Sequence, residues 1–326
     1  MPLTVMTRIE TWPLREHFVI SRGAKKEAVV VVAELNDGSF SGRGECVPYP
    51  RYDETPTATA AEIEAAVRRN PEMDRHALQQ QLPPGAARNA LDCAFWALEA
   101  ARAGSPVSTR LRSAPAGRIL TCQTISLDTP QKMAASAKRH ADFPLLKLKL
   151  GAPGDDERMA AVRTARPDAR LVGDANEGWA PDDLERLLAA AKAASFEMIE
   201  QPLPADADAQ LGEIPHPIPV CADESAHTTS GLETLASRYD AINIKLDKTG
   251  GLTEALHLAE QAAAQGMDIM VGCMVSTSLS MAPALHLAGY ARWIDLDGPL
   301  LLAEDRHPGL IYDNAWIAPP SPDAWA

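Results

Sequence analysis

Residues 144–177 read PLLKLKLGAPGDDERMAAVRTARPDARLVGDANE. A short apolar run, an Ala-rich stretch and a second apolar run follow one another. That order is the mark of a strand, a helix and a parallel strand. The same texture repeats outward from about Arg118. The runs are RILTCQTIS, PLLKLKLG, ARLVGDAN, FEMIEQP, PVCADES, DAINIKLD, DIMVGCM and RWIDLDGP. Near their ends stand Thr124, Lys149, Asp174, Glu200, Asp223, Lys245, Cys273 and Asp295, at steps of 25, 25, 26, 23, 22, 28 and 22 residues. A near-regular step of this size is a strand, a helix and two loops repeated. Eight such units predict a closed (β/α)8-type barrel, with its site where the strands end.

The first 57 residues have a different texture, that of an antiparallel meander. Thr4–Leu14, Ala28–Leu35 and Ser41–Cys46 are strand-like, and Asn36-Asp37-Gly38 is a turn signal. Between the first two strands HFVISRGAKKE reads as a polar, cationic loop. A second loop, VPYPRYDETP, is rich in Pro and Tyr. Helical patterns follow at Thr59–Asn70, at Arg75–Gln81 and, most strongly, in GAARNALDCAFWALEAARAG. In that last stretch Ala90, Ala94, Leu98, Leu91 and Phe95 share a face. The expected division is a capping part at 1–117, completed by the tail 300–326, and a barrel at 118–299.

The chain has 326 residues, 46% of them hydrophobic and 23% charged, the usual mix for a globular protein with a large core. Its net charge of -13 makes it a poor partner for nucleic acid or an anionic membrane. Five cysteines, an odd number without CxxC spacing, argue against a disulfide framework or a thiolate zinc site. The N-terminus lacks a signal-peptide pattern and no apolar run would span a bilayer, so a cytoplasmic location is expected.

The third to fifth strands end in Asp174, Glu200 and Asp223. Neighbouring strands bring these acids together, and three buried carboxylates call for a cation. Their all-oxygen ligation favours Mg²⁺, with Mn²⁺ as the alternative. One such acid alone would more simply cap a helix or pair with a surface lysine. In the second strand, alternation points Lys147 and Lys149 to one face. Lys245 stands on the sixth strand, diametrically opposite. A nearby Lys147 is expected to depress the pKa of Lys149, which suits a base. Read as counter-ions, the lysines would only balance the acids. Two lysines facing across a metal are better explained by proton transfer. One removes the α-proton of a carboxylate substrate held by the metal, and the other returns a proton to the opposite face. On the eighth strand Asp295 and Asp297 share a face, a pair suited to a substrate ammonium.

These residues resemble the pattern of the enolase superfamily, in its muconate-lactonising subgroup with a Lys-x-Lys base. Within it the chain is similar to the L-Ala-D/L-Glu dipeptide epimerases. The likeness runs almost end to end, through GECVPYPRYDE, LPPGAARNALDCAFWALEA, LLKLKL, DANE, EQPLP, CADESAHT, NIKLDKTGGLTEAL, GCMVSTS and DLDGP. It implies an α/β fold: a (β/α)7β TIM-like barrel with an N-terminal α+β capping domain. It implies Asp174, Glu200 and Asp223 as ligands of one Mg²⁺ per subunit, and Lys149 and Lys245 as the acid/base pair assisted by Lys147. Asp295 and Asp297 would hold the ammonium of a small dipeptide. Thr124, Cys273 and Val275 match positions that touch substrate. Where relatives carry an Arg for the glutamate side chain, this chain has Lys25, with Arg22 and Lys26 nearby. The implied activity is Mg-dependent epimerisation of a dipeptide at its C-terminal residue, in the metabolism of cell-wall peptides. The rivals are N-acylamino-acid racemase, o-succinylbenzoate synthase and muconate cycloisomerase, and, from another class, a non-catalytic peptide-binding barrel. Nothing in the sequence marks an oligomeric state.

Overall fold

The computed structural model of the chain describes residues 2–111 and 117–325. Residues 112–116, inside the expected capping part, lie outside the described residues. The chain begins with an antiparallel sheet of β1 (Thr4–Ile20), β2 (Gly23–Asn36) and β3 (Ser41–Cys46). Three helices follow: α1 (Pro56–Arg69), α2 (Arg75–Gln81) and α3 (Ala86–Ala103). Thr55 and Asp74 cap the first two by accepting from the backbone N–H of Ala58 and Ala77. Gly104, in the left-handed conformation, ends the third.

Alternation in β2 explains how this sheet packs. Val31, Ala33 and Leu35 face a core shared with Ile63, Leu91 and Leu98 of the helices, whereas Val30 and Val32 join the main core. The sheet is thus buried on both faces. On β3, Gly42 and Gly44 lie directly on α3. A Cβ at either would come within 2.2 Å of the Ala94 carbonyl oxygen or 2.1 Å of that of Ala90.

β1 and β2 outrun the expected strands. Their register breaks between Pro13 and Phe18, and pairing then resumes from Phe18↔Lys25 to Ile20↔Gly23. The segment expected as a loop is therefore the outer half of a hairpin. Much of it is solvated on both faces, so no apolar alternation announces it.

β4 (Ile119–Leu120) leads into eight parallel strands: β5 (Gln123–Ile125), β6 (Leu145–Lys149), β7 (Arg170–Asp174), β8 (Phe196–Glu200), β9 (Val220–Ala222), β10 (Ala241–Ile244), β11 (Asp268–Val271) and β12 (Trp293–Ile294). They pair in sequence order from β5 to β12. The two edge strands meet where Cys122 N donates to Ile294 O at 2.9 Å and Leu296 N to Thr121 Oγ1 at 2.9 Å. Helices α4 (Pro130–Arg139), α5 (Asp155–Ala165), α6 (Leu184–Ala193), α7 (Leu232–Ala236), α8 (Leu246–Thr249), α9 (Leu252–Ala264) and α10 (Ser278–Ala284) fill most of the connections. Between β8 and β9 only a 3₁₀ turn, Ala209–Glu213, occurs. Pro202, Pro204, Pro215, Pro217 and Pro219 confine any helix there to residues 205–214.

After the barrel, β13 (Tyr312–Asp313) and β14 (Trp316–Ile317) form a small sheet with β4. The same tail touches the first sheet. Arg306 donates to Glu10 at 2.6 Å and to Glu45 at 2.8 Å, and Trp325 Nε1 to Arg43 O at 3.0 Å. At the seam between the first part and the barrel, buried Asp247 accepts from Val47 N and Asn89 Nδ2. All five cysteines are free. Among the described residues no helix is long and apolar enough to cross a membrane.

Candidate active site

Period-two alternation builds the barrel interior in layers. The floor is apolar: Cys122, Leu145, Val172, Met198, Cys221, Ala241, Met270 and Trp293 form one buried cluster. Two residues further along the same strands stand Thr124, Lys147, Asp174, Glu200, Asp223, Asn243, Gly272 and Asp295. Every change of character falls at one step of the pleat. Apart from Gly272, which has no side chain, this second layer is polar and buried.

Asp174, Glu200 and Asp223 each place an oxygen within 4.8 Å of the others. In each, one oxygen is committed to a fixed donor. Asp174 Oδ1 accepts from Asn176 N at 2.9 Å, Glu200 Oε1 from Asn243 Nδ2 at 2.7 Å, and Asp223 Oδ1 from Lys248 Nζ at 2.6 Å. The other oxygens meet lysines. Lys149 Nζ is 2.5 Å from Asp174 Oδ2 and Lys245 Nζ is 2.6 Å from Asp223 Oδ2. Lys147 Nζ is 2.6 Å from Glu200 Oε2, but among the described residues Glu200 Oε2 has no aligned hydrogen-bond donor. Burial, and then Asp174, push the Glu200 carboxyl up to about 8, as in a carboxylate set short of positive charge. Three converging carboxylates, one with an unsatisfied oxygen, fit a hard divalent cation.

Lys147 also contacts Asp295 at 2.6 Å and Asp174 at 3.2 Å. Burial alone would lower its pKa, but Asp295, Glu200 and Asp174 raise it well above the ordinary lysine range. Asp174 Oδ2 thus stands between Lys147 and Lys149. Asp295 is committed to Lys147 and to Cys122 Sγ, 2.8 Å away. Asp297 accepts from Thr124 N at 2.7 Å. Burial, and then Asp295, push its carboxyl up to about 7.

Above these layers lies a cavity of about 730 Å³ between the hairpin and the strand ends. Lys149, Lys245, Cys273, Val275 and Lys25 are on its wall, whereas Thr124, Lys147, Asp174, Glu200, Asp295 and Asp297 are not. Phe18 and Lys25 are cross-strand partners and so share the hairpin face that carries Phe18 toward Lys149. Lys25 Nζ lies 4.9 Å from the centre of the Tyr49 ring. Arg22 is already engaged, with Glu224 Oε1 at 2.6 Å, Asn176 O at 2.9 Å and Glu177 Oε2 at 3.1 Å.

Sequence reasoning missed the fixed donors. Asn243 was findable, because it lies one pleat period before Lys245 on the same face. Lys248 carries no such signal. It reaches the site only because α8 turns it back toward the barrel.

Two family models match the chain. "Mandelate racemase / muconate lactonizing enzyme, N-terminal domain" covers residues 2–111, and "Enolase C-terminal domain-like" covers residues 132–303. The L-Ala-D/L-Glu epimerase of Escherichia coli K12 is 47% identical over 315 residues, 95% of this chain and 97% of that one. The N-acetyl-D-glutamate racemase of a Pseudoalteromonas species is 44% identical over 299 residues, covering 91% and 95%. A solved enolase family member from Agrobacterium tumefaciens, with homology to dipeptide epimerases and with bound sodium and L-Ala-L-Glu, is 50% identical. It superimposes at a TM-score of 0.97, covering 100% of both chains. By model, sequence and fold, the chain belongs to the mandelate racemase / muconate lactonizing enzyme family of the enolase superfamily.

Proposed function

We propose that the protein is an isomerase that epimerises small dipeptides at the C-terminal residue, with L-Ala-D/L-Glu as the best-supported substrate. One observation carries this reading. Two lysines from β6 and the end of β10, four strands apart in a ring of eight, open onto one cavity on either side of three buried carboxylates. A binding module has no use for a base on each face.

In this reading, Lys149 Nζ and Lys245 Nζ are the two proton carriers. One takes the α-proton of the C-terminal residue and the other delivers a proton to the opposite face, so the stereocentre inverts. Asp174 and Asp223 orient the two ammonium groups through their contacts of 2.5 and 2.6 Å. Asp174, Glu200 and Asp223 would hold the divalent cation, Mg²⁺ on the chemistry of an all-oxygen set. When bound, that ion supplies positive charge beside the substrate carboxylate. Lys147, held by three acids and off the cavity wall, balances charge. Asp297, with Asp295 beside it, would offer the negative end that a dipeptide ammonium needs, from just behind the cavity wall. Cys273 and Val275 shape this side of the pocket, and Thr124 N holds Asp297 behind it. The hairpin of the proposed capping part, 1–117, covers the mouth, and the proposed barrel, 118–299, carries the chemistry.

Lys25 is the residue best placed for a glutamate side-chain carboxylate. It shares the cavity face with Phe18, and among the described residues it makes no ion pair, whereas Arg22 is bound to acids. Lys25→Ala should lower kcat/KM for L-Ala-L-Glu about tenfold, the worth of one charge-assisted hydrogen bond of about 1.5 kcal/mol. Turnover of L-Ala-L-Leu should be unaffected.

A second reading, racemisation of an N-acylated glutamate, is favoured by the likeness to the N-acetyl-D-glutamate racemase. The same machinery serves it, but such a substrate brings no ammonium to Asp295 and Asp297. Proton NMR in D₂O with Mg²⁺ separates the two. Loss of the glutamate α-proton signal from L-Ala-L-Glu, with appearance of the L-Ala-D-Glu diastereomer, is the expected result. Exchange confined to N-acetylglutamate would replace the first reading by the second.

A further inference from the structure

We infer that Lys248 is a positioning residue for the metal-binding carboxylate Asp223. The inference rests on the metal reading proposed above. Lys248 is among the largest fully buried side chains of the protein. A lysine taken out of water is costly unless each of its three donors finds an acceptor. Here all three do, and two of the acceptors belong to one residue. Lys248 Nζ donates to the backbone oxygen of Asp223, to Asp223 Oδ1 at 2.6 Å and to Asn243 O at 3.0 Å. With its donors filled and no place on the cavity wall, Lys248 is not a base.

The other polar atoms of Asp223 complete the argument. Its N–H donates to Gln201 Oε1 at 2.8 Å, and its Oδ2 faces Lys245 at 2.6 Å. Backbone N–H, backbone oxygen and Oδ1 are therefore anchored. Only Oδ2 is left outside this anchoring, and it meets the lysine proposed to carry protons. Asp174 and Glu200 are anchored by neutral donors, the Asn176 N–H and the Asn243 amide. Asp174 and Glu200 also meet the buried Lys147, but through their other oxygens, whereas Asp223 has a charged donor on the anchored oxygen itself. Asp223 is also the only one of the three that lines the cavity. A ligand whose second partner must be free to move needs its first held most firmly. Lys248 keeps Asp223 in place while Lys245 changes its contacts.

Two substitutions separate positioning from charge. Lys248→Met removes both the charge and the donors, and Lys248→Gln removes the charge but keeps an amide donor. Each purified protein, stripped of metal, is titrated with Mg²⁺ by calorimetry, and its metal-free melting temperature is recorded alongside. Lys248→Met should bind Mg²⁺ about 10–100-fold more weakly, as when the partner of a ligand is lost. Lys248→Gln should stay within about threefold of wild type, because the donor and not the charge is retained. Equal shifts in both variants, or tighter binding by Lys248→Met, would make the effect one of charge and overturn the inference. So would unchanged binding by Lys248→Met. If Lys248→Met does not fold, Lys248→Gln decides alone: weakening beyond tenfold overturns it. A wild-type protein that takes up no Mg²⁺ would instead overturn the metal reading itself.

Discussion

The floor of the barrel and the layer above it are built by the same eight strands, two residues apart. In the floor, Leu145, Val172, Met198 and Trp293 pack side chain against side chain. In the layer above, Lys147, Asp174, Glu200 and Asp295 occupy the next inward positions and pair charge against charge. The difference shows what the pleat does here. A one-residue slip of β6 would turn Lys147 and Lys149 into the outer apolar layer and Leu146 and Leu148 into the site. The floor is indifferent to chemistry and sensitive to volume. The upper layer is the reverse.

That contrast can be broken or sharpened by substitution. The largest effect is expected at the top. Lys149→Ala and Lys245→Ala should each lower kcat about 10²–10⁴-fold, the usual worth of a general base. Each should keep α-proton exchange from one diastereomer and lose it from the other, read by NMR in D₂O. Loss of neither exchange would end the two-base scheme. Next comes Lys147→Met, which leaves Asp174, Glu200 and Asp295 without their shared cation. Denaturant unfolding of the metal-free protein should show a loss of about 3–5 kcal/mol. Saturating Mg²⁺ should restore part of it. In the floor, Met198→Ala should cost about 2–5 kcal/mol in the same assay, and Met198→Leu under about 1.5 kcal/mol. A larger cost for Leu than for Ala would show that the floor, too, depends on more than volume.

The last expected effect lies at the seam and is read as a slope. Burial pushes the Asp247 carboxyl up to about 7. Its folded pKa is then above its unfolded one, so folding favours the protonated form. Asp247 should therefore contribute stability at low pH that is lost as pH rises from about 4 to about 7. Asp247→Asn keeps an oxygen acceptor for Val47 N and Asn89 Nδ2 and removes the titration. Melting temperatures across that range should fall less steeply in the variant. An unchanged slope would place the titration elsewhere.

Much of this was legible in the residues themselves. The strand-end acids, the LLKLKL alternation and the repeat step predicted the barrel and brought Asp174, Glu200 and Asp223 together as the structure does. The hairpin beyond Leu14 was not legible, because exposed strands carry no burial pattern. Nor was the missing helix between β8 and β9, where the regular step concealed five prolines. The pairing of Asp174 Oδ2 with both Lys147 and Lys149 also escaped the sequence. Strand order places residues on neighbouring strands, but it does not say which oxygen ends between two ammonium groups.

The closing contact between Cys122 and Ile294 has a consequence for synthesis. As the chain leaves the ribosome, β5 is among the first barrel strands made and β12 is the last. Until β12 emerges, the growing sheet carries two open edges, each a template for pairing with another chain. The wait lasts more than 160 residues, and β4 waits longer still for β14. The antiparallel sheet β1–β3 faces no such delay, because its partners are adjacent in the chain. The nascent protein should therefore be most prone to aggregation late, when its parallel sheet is nearly complete and still unsealed.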